Sequence, residues 1–219
     1  NKVDNLNFEN AFHIINKLGD GGWGELYKVQ DKSNNKYYAL KKLTLNDKEK
    51  QYVLNETQNL IKPGSKFVIQ YYHSWVESNF LYHQMELCLD NLTNVLKIKD
   101  SLFSEIMNIL EFHISYYIFY KLVKCVQYLH ESDIPITHRD LKLENVFISM
   151  DGRIILSGLF LAKEVVNDLM YSDVGDLRYQ APEVGTDTNG YNHLIDIYSL
   201  SMIGAQIFGF DIYDIFDGK

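Results

Sequence analysis

Cysteine is almost absent from this 219-residue chain: Cys88 and Cys125 are too few for a disulfide framework and too far apart for a metal clip. Long apolar runs are missing as well. None approaches the roughly 20 residues that span a bilayer, so no membrane is expected as a partner. There is no basic cluster: 21 Lys and Arg stand against 29 Asp and Glu, a net charge of −8, and nucleic acid is not expected as a partner. The first ten residues lack a signal-peptide pattern, which together with the scarce cysteine points to a reducing, intracellular and cytoplasmic setting. Pro-rich or Ser-rich linkers, internal repeats and low-complexity tracts are lacking too. The triplets Asn55-Glu56-Thr57 and Asn91-Leu92-Thr93 are read as chance sequons. The chain has no initiator Met and reads as a fragment.

What is present defines a folded protein. A hydrophobic content of 46%, with 14% aromatic residues, excludes intrinsic disorder, and the length accommodates one large domain or two small lobes with a real core. From Phe12 to about Leu87 short extended segments alternate with turns such as Ser33-Asn34-Asn35, which predicts an antiparallel sheet. One helix is predicted inside that half, at Lys48–Ile61, closed by Pro63-Gly64. Beyond Cys88 the texture turns helical: Ile114, Ile118, Leu122, Cys125, Val126 and Leu129 recur three and four residues apart, predicting an amphipathic helix of about six turns. A boundary near Leu87 to Leu92 therefore separates a small β-rich lobe, 1–88, from a larger α-rich one, 89–219, with a cleft between them.

Leu18-Gly19-Asp20-Gly21-Gly22-Trp23-Gly24 carries the Gly-x-Gly-x-x-Gly spacing, where missing Cβ atoms let a backbone approach phosphates. The same spacing also describes an ordinary Gly-rich hairpin. Glu25 to Val29 reads as a strand, whereas a dinucleotide-binding fold requires a helix there. Ala39-Leu40-Lys41 places a lysine at the end of a strand, and Glu56 follows on the predicted helix, a pair able to hold and neutralise phosphates. His138-Arg139-Asp140-Leu141-Lys142-Leu143-Glu144-Asn145 spaces an aspartate, a lysine and an asparagine as a base, a phosphate clamp and a metal ligand.

The order of Gly19, Gly21, Gly24, Lys41, Glu56, His138-Arg139-Asp140, Asn145, Ala181-Pro182-Glu183 and Asp196 resembles the eukaryotic protein kinases over nearly the whole chain. Gln70 to Glu77 and Leu81 to Cys88 look like the kinases of the alpha subunit of translation initiation factor 2. Gly175-Asp176-Leu177-Arg178-Tyr179 is more similar to the Wee family. The resemblance implies an α+β, two-lobed kinase fold, its larger lobe cut short at the C-terminal end. It also implies ATP with Mg²⁺ as cofactors, a protein substrate or partner kinase, and a dimer through the small lobe. By position, Lys41 would bind the α- and β-phosphates and pair with Glu56, beneath Leu18 and the glycine loop. Asp140 would accept the proton of the attacking hydroxyl, Lys142 steady the γ-phosphate and Asn145 bind Mg²⁺. The backbone of Glu86 to Cys88 would hold adenine between Leu26 and Ala39 above and Phe147 below, with Met85 behind.

The pattern breaks in one place. Where these kinases have Asp-Phe-Gly this chain reads Gly158-Leu159-Phe160, so the carboxylate that chelates the cation between the β- and γ-phosphates is missing. Leu159 remains large and apolar and would stack with Leu60 and His138. Asp151 or Glu164 would be the carboxylates to swing in as a replacement. Asp176, where serine/threonine kinases have a threonine, would repel Asp140 at close range. Tyr171 and Ser172 are candidate phosphorylation sites facing Arg139. Leu143 for the usual proline and Trp23 in the glycine loop read as mild exchanges. Glu183 would be a buried carboxylate deprived of its arginine. Two readings stay open: a pseudokinase or strongly impaired kinase, and an active serine/threonine kinase.

Overall fold

The computed structural model describes residues 8–21, 24–44, 65–103, 107–133, 135–159, 163–164, 176–184 and 192–216. The predicted helix at Lys48–Ile61, with Glu56 and Leu60, lies outside the described residues, as do Trp23, Tyr171 and Ser172. The chain divides into two compact units, Asn1–Ser65 with Ile69–Cys88 and Lys66–Val68 with Leu89–Lys219.

In the first unit a short helix, α1 (Phe8–Ala11), leads into a five-stranded sheet of β1 (Phe12–Gly21), β2 (Gly24–Asp31), β3 (Tyr37–Thr44), β4 (Tyr71–Glu77) and β5 (Phe80–Met85). Its order is β1-β2-β3-β5-β4 and its pairings are antiparallel. The β2–β3 turn closes because Asp31 accepts hydrogen bonds from the amide and hydroxyl of Ser33, while Asn35 takes φ 59°, a conformation asparagine tolerates. One face of the sheet is aromatic. Phe12, Val29, Leu40, Trp75 and Tyr82 form its core. Trp75 stacks on Tyr82 and Phe12, and Phe8 of α1 stacks on Tyr82. Burial of such rings is the main force holding strands that share few local contacts.

In the second unit β6 (Cys88–Asn91) begins a three-stranded sheet with β8 (Val146–Ser149) and β9 (Ile154–Leu156). Helix α2 (Leu92–Leu102) follows, with Asn91 capping the Asn94 amide, and then α3 (Ile109–His130), whose Asn108 cap accepts from the Glu111 amide. Strand β7 (Ile136–Thr137) pairs with β10 (Lys163–Glu164), and α4 (Leu194–Ile207) and α5 (Ile212–Phe216) complete the described chain.

The predicted amphipathic helix is α3, and Ile118, Leu122, Cys125, Val126 and Leu129 are buried on it as expected. Ile114 is not: it stays 36% exposed. In its stead Glu111 and Ser115 turn inward, because Lys99 of α2 is buried there and bonds Glu111 Oε1 at 2.9 Å and the Ile207 carbonyl at 3.1 Å. Ser115 donates to the same carbonyl at 2.9 Å. A buried ammonium needs this many partners, so the first turns of α3 offer polar groups where periodicity called for an apolar one.

Candidate functional site

In the first unit, register brings the sequence-predicted residues onto one face. Gly19 pairs with Leu26, Leu26 with Lys41, Lys41 with His83 and Ala39 with Met85. Directly opposed residues in antiparallel strands point the same way, so Leu26, Ala39, Lys41 and Met85 share the face opposite the aromatic core. Lys41 lies within β3, not at its end, since pairing with β5 continues to Thr44. Gly21 pairs with Gly24 across the glycine turn, and Gly24 takes φ 103° with a Cβ position only 2.2 Å from the Lys42 carbonyl oxygen. Any side chain there would drive the hairpin off β3. Gly19 has nothing within 4 Å of its Cβ position. Glu86 is tied back to Gln70: its amide donates to the Gln70 carbonyl and its carboxylate accepts from the Gln70 amide, both at 2.9 Å. Cys88 Sγ contacts the Glu86 carbonyl at 4.0 Å.

His83 had no role in the sequence reading. It is fully buried opposite Lys41, with Nδ1 2.6 Å from Ser74 Oγ. Burial, reinforced by the Lys41 charge, pushes it down to about 3, so it is neutral. Its position two residues before Met85, on the same strand face, was the available signal.

In the second unit the loop residues interlock. Lys142 Nζ lies 3.0 Å from Asp140 Oδ1, and Asn145 Nδ2 donates to Asp140 Oδ2 at 2.8 Å and to the Asp140 carbonyl at 2.7 Å. Asp196 holds the loop from below: its carboxylate accepts the amides of His138 and Arg139 at 2.8 and 2.9 Å and the ring of His130 at 2.8 Å. That grip sustains Arg139 at φ 69°, a left-handed conformation costly for a long side chain. His138 donates Nε2–H to the Ser157 carbonyl at 2.7 Å and accepts the Asp140 amide on Nδ1. Burial lowers its affinity for a second proton, which keeps this neutral tautomer. The Ser157 amide returns a bond to the Asn145 carbonyl at 2.9 Å, so Gly158 is pinned beside Asn145. Phe147, on β8, pairs with Ile155, and Leu159 is fully buried.

Asp176 does not confront Asp140. Arg178 grips both of its oxygens, at 3.1 and 2.8 Å, and Lys142 lies between the two carboxylates, 4.0 Å from Asp176 and 3.0 Å from Asp140. The Arg178 hydrogen bonds hold Asp176 below the usual carboxylate range. Arg178 also reaches Glu144 at 3.0 Å, a partnership that sequence spacing did not signal.

Of the two side chains that the resemblance gives a divalent cation, only Asn145 is present. Gly158 contributes no side-chain oxygen, whereas Asn145 spends its Nδ2 on Asp140, which leaves Oδ1 as the oxygen it would offer a cation. Asp151 is no substitute, because it is tied to Arg153 and Ser149 in the β8–β9 turn. The Glu164 side chain lies outside the described residues. Among the described residues no three His, Cys, Asp or Glu side chains gather in a metal-binding group. Nor is any described helix long and apolar enough to cross a membrane.

The profile of the protein kinase domain matches residues 12–213. The chain belongs to the protein kinase domain family. The human cAMP-dependent protein kinase catalytic subunit PRKX is 29% identical over 198 residues, 88% of this chain and 52% of that protein. The membrane-associated tyrosine- and threonine-specific cdc2-inhibitory kinase wee-1.3 of Caenorhabditis elegans is 32% identical over 213 residues, 92% of this chain and 29% of that protein. Serine/threonine-protein kinase cst-1 of Caenorhabditis briggsae is 28% identical, over 91% of this chain and 39% of that protein. The kinase domain thus spans less than two thirds of these relatives. Its sheet-forming unit and helical unit make the α+β fold of the family, and the strand after Gly24 excludes the dinucleotide-binding alternative. Glu183 of the kinase domain is only partly buried, so solvent spares it the penalty foreseen for an isolated carboxylate.

Proposed function

We propose that this kinase domain binds ATP and acts as a regulatory pseudokinase that docks on a partner kinase, or as a strongly impaired kinase. The observation that carries the reading is Gly158: a residue without a side chain stands where the resemblance places the metal carboxylate, and the Asn145 amide abuts it. Phosphoryl transfer depends on positioning and on neutralising phosphate charge. Loss of one preorganised stabilising group costs roughly a hundred- to a thousandfold in rate. In this reading Lys41, paired with Glu56, takes the phosphates, and Leu18, Gly19, Gly21 and Gly24 cover them. Leu26, Ala39, Met85, Glu86, Cys88 and Phe147 surround adenine. Packing supplies no reason for glycine at 19, which leaves ligand approach as the reason, whereas Gly24 is required by the hairpin itself.

A second reading, an active serine/threonine kinase acting on a protein hydroxyl, with a translation initiation factor as the substrate to try, is favoured by the Asp140–Lys142 contact at 3.0 Å. The stretches Gln70 to Glu77 and Leu81 to Cys88 support the initiation-factor subfamily. Asp176 and the similarity to wee-1.3 support a Wee relationship. Two measurements test the proposal. ATP should raise the melting temperature of the chain equally with and without Mg²⁺, and no shift in either condition removes nucleotide binding. Autophosphorylation should match that of Asp140→Asn, and activity above that variant overturns the pseudokinase reading.

A further inference from the structure

Helix α3 is apolar on two sides. Ile118, Leu122 and Cys125 are buried on one, while Phe112, Tyr116 and Tyr120, spaced four residues apart, run along the other. Their rings form a ladder, with centroids 6.4 Å apart from Phe112 to Tyr116 and 6.2 Å from Tyr116 to Tyr120. Phe208, just past the end of α4, extends it at 5.9 Å from Phe112. A helix that is apolar all round belongs in an interior, and a patch of this size left in water marks a contact surface.

Ile109, Phe112, Tyr116, Tyr117 and Tyr120 remain 45–74% exposed. With about half of the ~200 Å² of each large side chain still wet, these five alone offer on the order of 500 Å² per copy. Stable interfaces begin at about 600 Å² per partner, so the ladder and the lysine stems beside it suffice for one.

The two ends of the ladder carry opposite charge. At the C-terminal end Lys121 Nζ stands 5.3 Å from the Tyr117 ring centre and Lys124 Nζ 5.8 Å from that of Tyr120. Neither lysine has a carboxylate partner among the described residues. At the N-terminal end lie Asp100, next to the Lys99 that bonds Glu111, and Asp211, three residues beyond Phe208. A second copy turned end for end sets its lysines against this acidic end, whereas a copy in the same direction sets like charges together. One two-fold axis near Tyr116 and Tyr117 makes that contact twice and brings an ammonium over a ring on each side. The acidic end and the net charge of −8 count against an anionic bilayer as the cover.

The geometry points to α3 as the interface of a two-fold dimer, in which a second copy of this chain packs antiparallel on the Phe112–Tyr116–Tyr120 ladder. The surface lies in the second unit, away from the small lobe through which the resemblance implies a dimer, and it needs neither nucleotide nor phosphoryl transfer.

The test is sedimentation equilibrium of the intact chain without nucleotide. A monomer–dimer equilibrium should appear with a dissociation constant of about 10 μM or tighter. Tyr116→Ser/Tyr120→Ser, at exposed positions, should keep its melting temperature and weaken dimerisation by about thirtyfold or more. Lys121→Glu/Lys124→Glu and Asp100→Lys/Asp211→Lys should each be monomeric, and an equimolar mixture of the two should form a heterodimer, because every altered end then meets an opposite charge. Asp211 also accepts the Tyr213 amide, so the mixture is repeated with Asp100→Lys alone, which leaves that bond in place. A native chain that stays monomeric at about 100 μM, dimerisation that survives Tyr116→Ser/Tyr120→Ser, or mixtures that stay monomeric overturn the inference. So does a monomeric chain that binds vesicles of phosphatidylcholine and phosphatidylserine and loses that binding in Tyr116→Ser/Tyr120→Ser, which assigns the ladder to a lipid surface.

Discussion

Gly158 and Asn145 occupy one space: a Cβ at 158 would stand 2.7 Å from Cγ and Nδ2 of Asn145, and Gly158 holds φ 83°. Restoring an aspartate here therefore meets both a clash and a strained backbone. Gly158→Asp should lower stability by about 2 kcal/mol in urea unfolding. Adding Asn145→Gly should recover about 1 kcal/mol of that loss, a coupling expected of residues in contact. Equal, additive losses would show that the two do not share the space. Gly158→Asp by itself should leave autophosphorylation at the level of Asp140→Asn.

His83 couples the sheet unit to pH. Its proton affinity is lowered on folding, so between about 3 and 6.5 the unfolded chain binds more protons than the folded one, and stability falls as pH falls through that window. Removing the group should flatten the profile. From pH 6.5 to 4.5 the melting temperature of the native chain should drop more than that of His83→Leu, by an amount matching about 1 kcal/mol per pH unit. Parallel profiles would refute it.

Asp196 satisfies two buried backbone amides and holds Arg139 in a left-handed conformation. Asp196→Ala should cost at least about 3 kcal/mol, because the amides lose a charged acceptor and water cannot replace it. Hydrogen exchange at His138 and Arg139 should accelerate in step with the loss of stability.

Lys99 and Glu111 form a buried pair, each less than 10% exposed. Lys99→Met should cost about 3 kcal/mol or more by leaving Glu111 charged and alone, whereas Lys99→Met with Glu111→Leu should cost much less. A double variant as unstable as the single one would show that the pair stabilises in its own right.

Sequence alone determined the α+β architecture and the residues of the His138–Asn145 loop. Short extended segments broken by turns such as Ser33 to Asn35 marked the sheet and helical periodicity marked α3, because each of these signals depends on residues close in the chain. The loop from His138 to Asn145 was legible for the same reason: its contacts, Lys142 and Asn145 on Asp140, lie within five residues. Tertiary structure decided the rest. Ile114 faces outward because Lys99, from another helix, demands polar partners. Asp176 is tolerated near Asp140 because Lys142 and Arg178 divide its charge, and Glu144 joins Arg178 from 34 residues away. At Gly158 the sequence shows only that a side chain is missing. Only the fold shows that the Asn145 side chain abuts it, since close packing tells neighbours in space apart in a way that order along the chain does not.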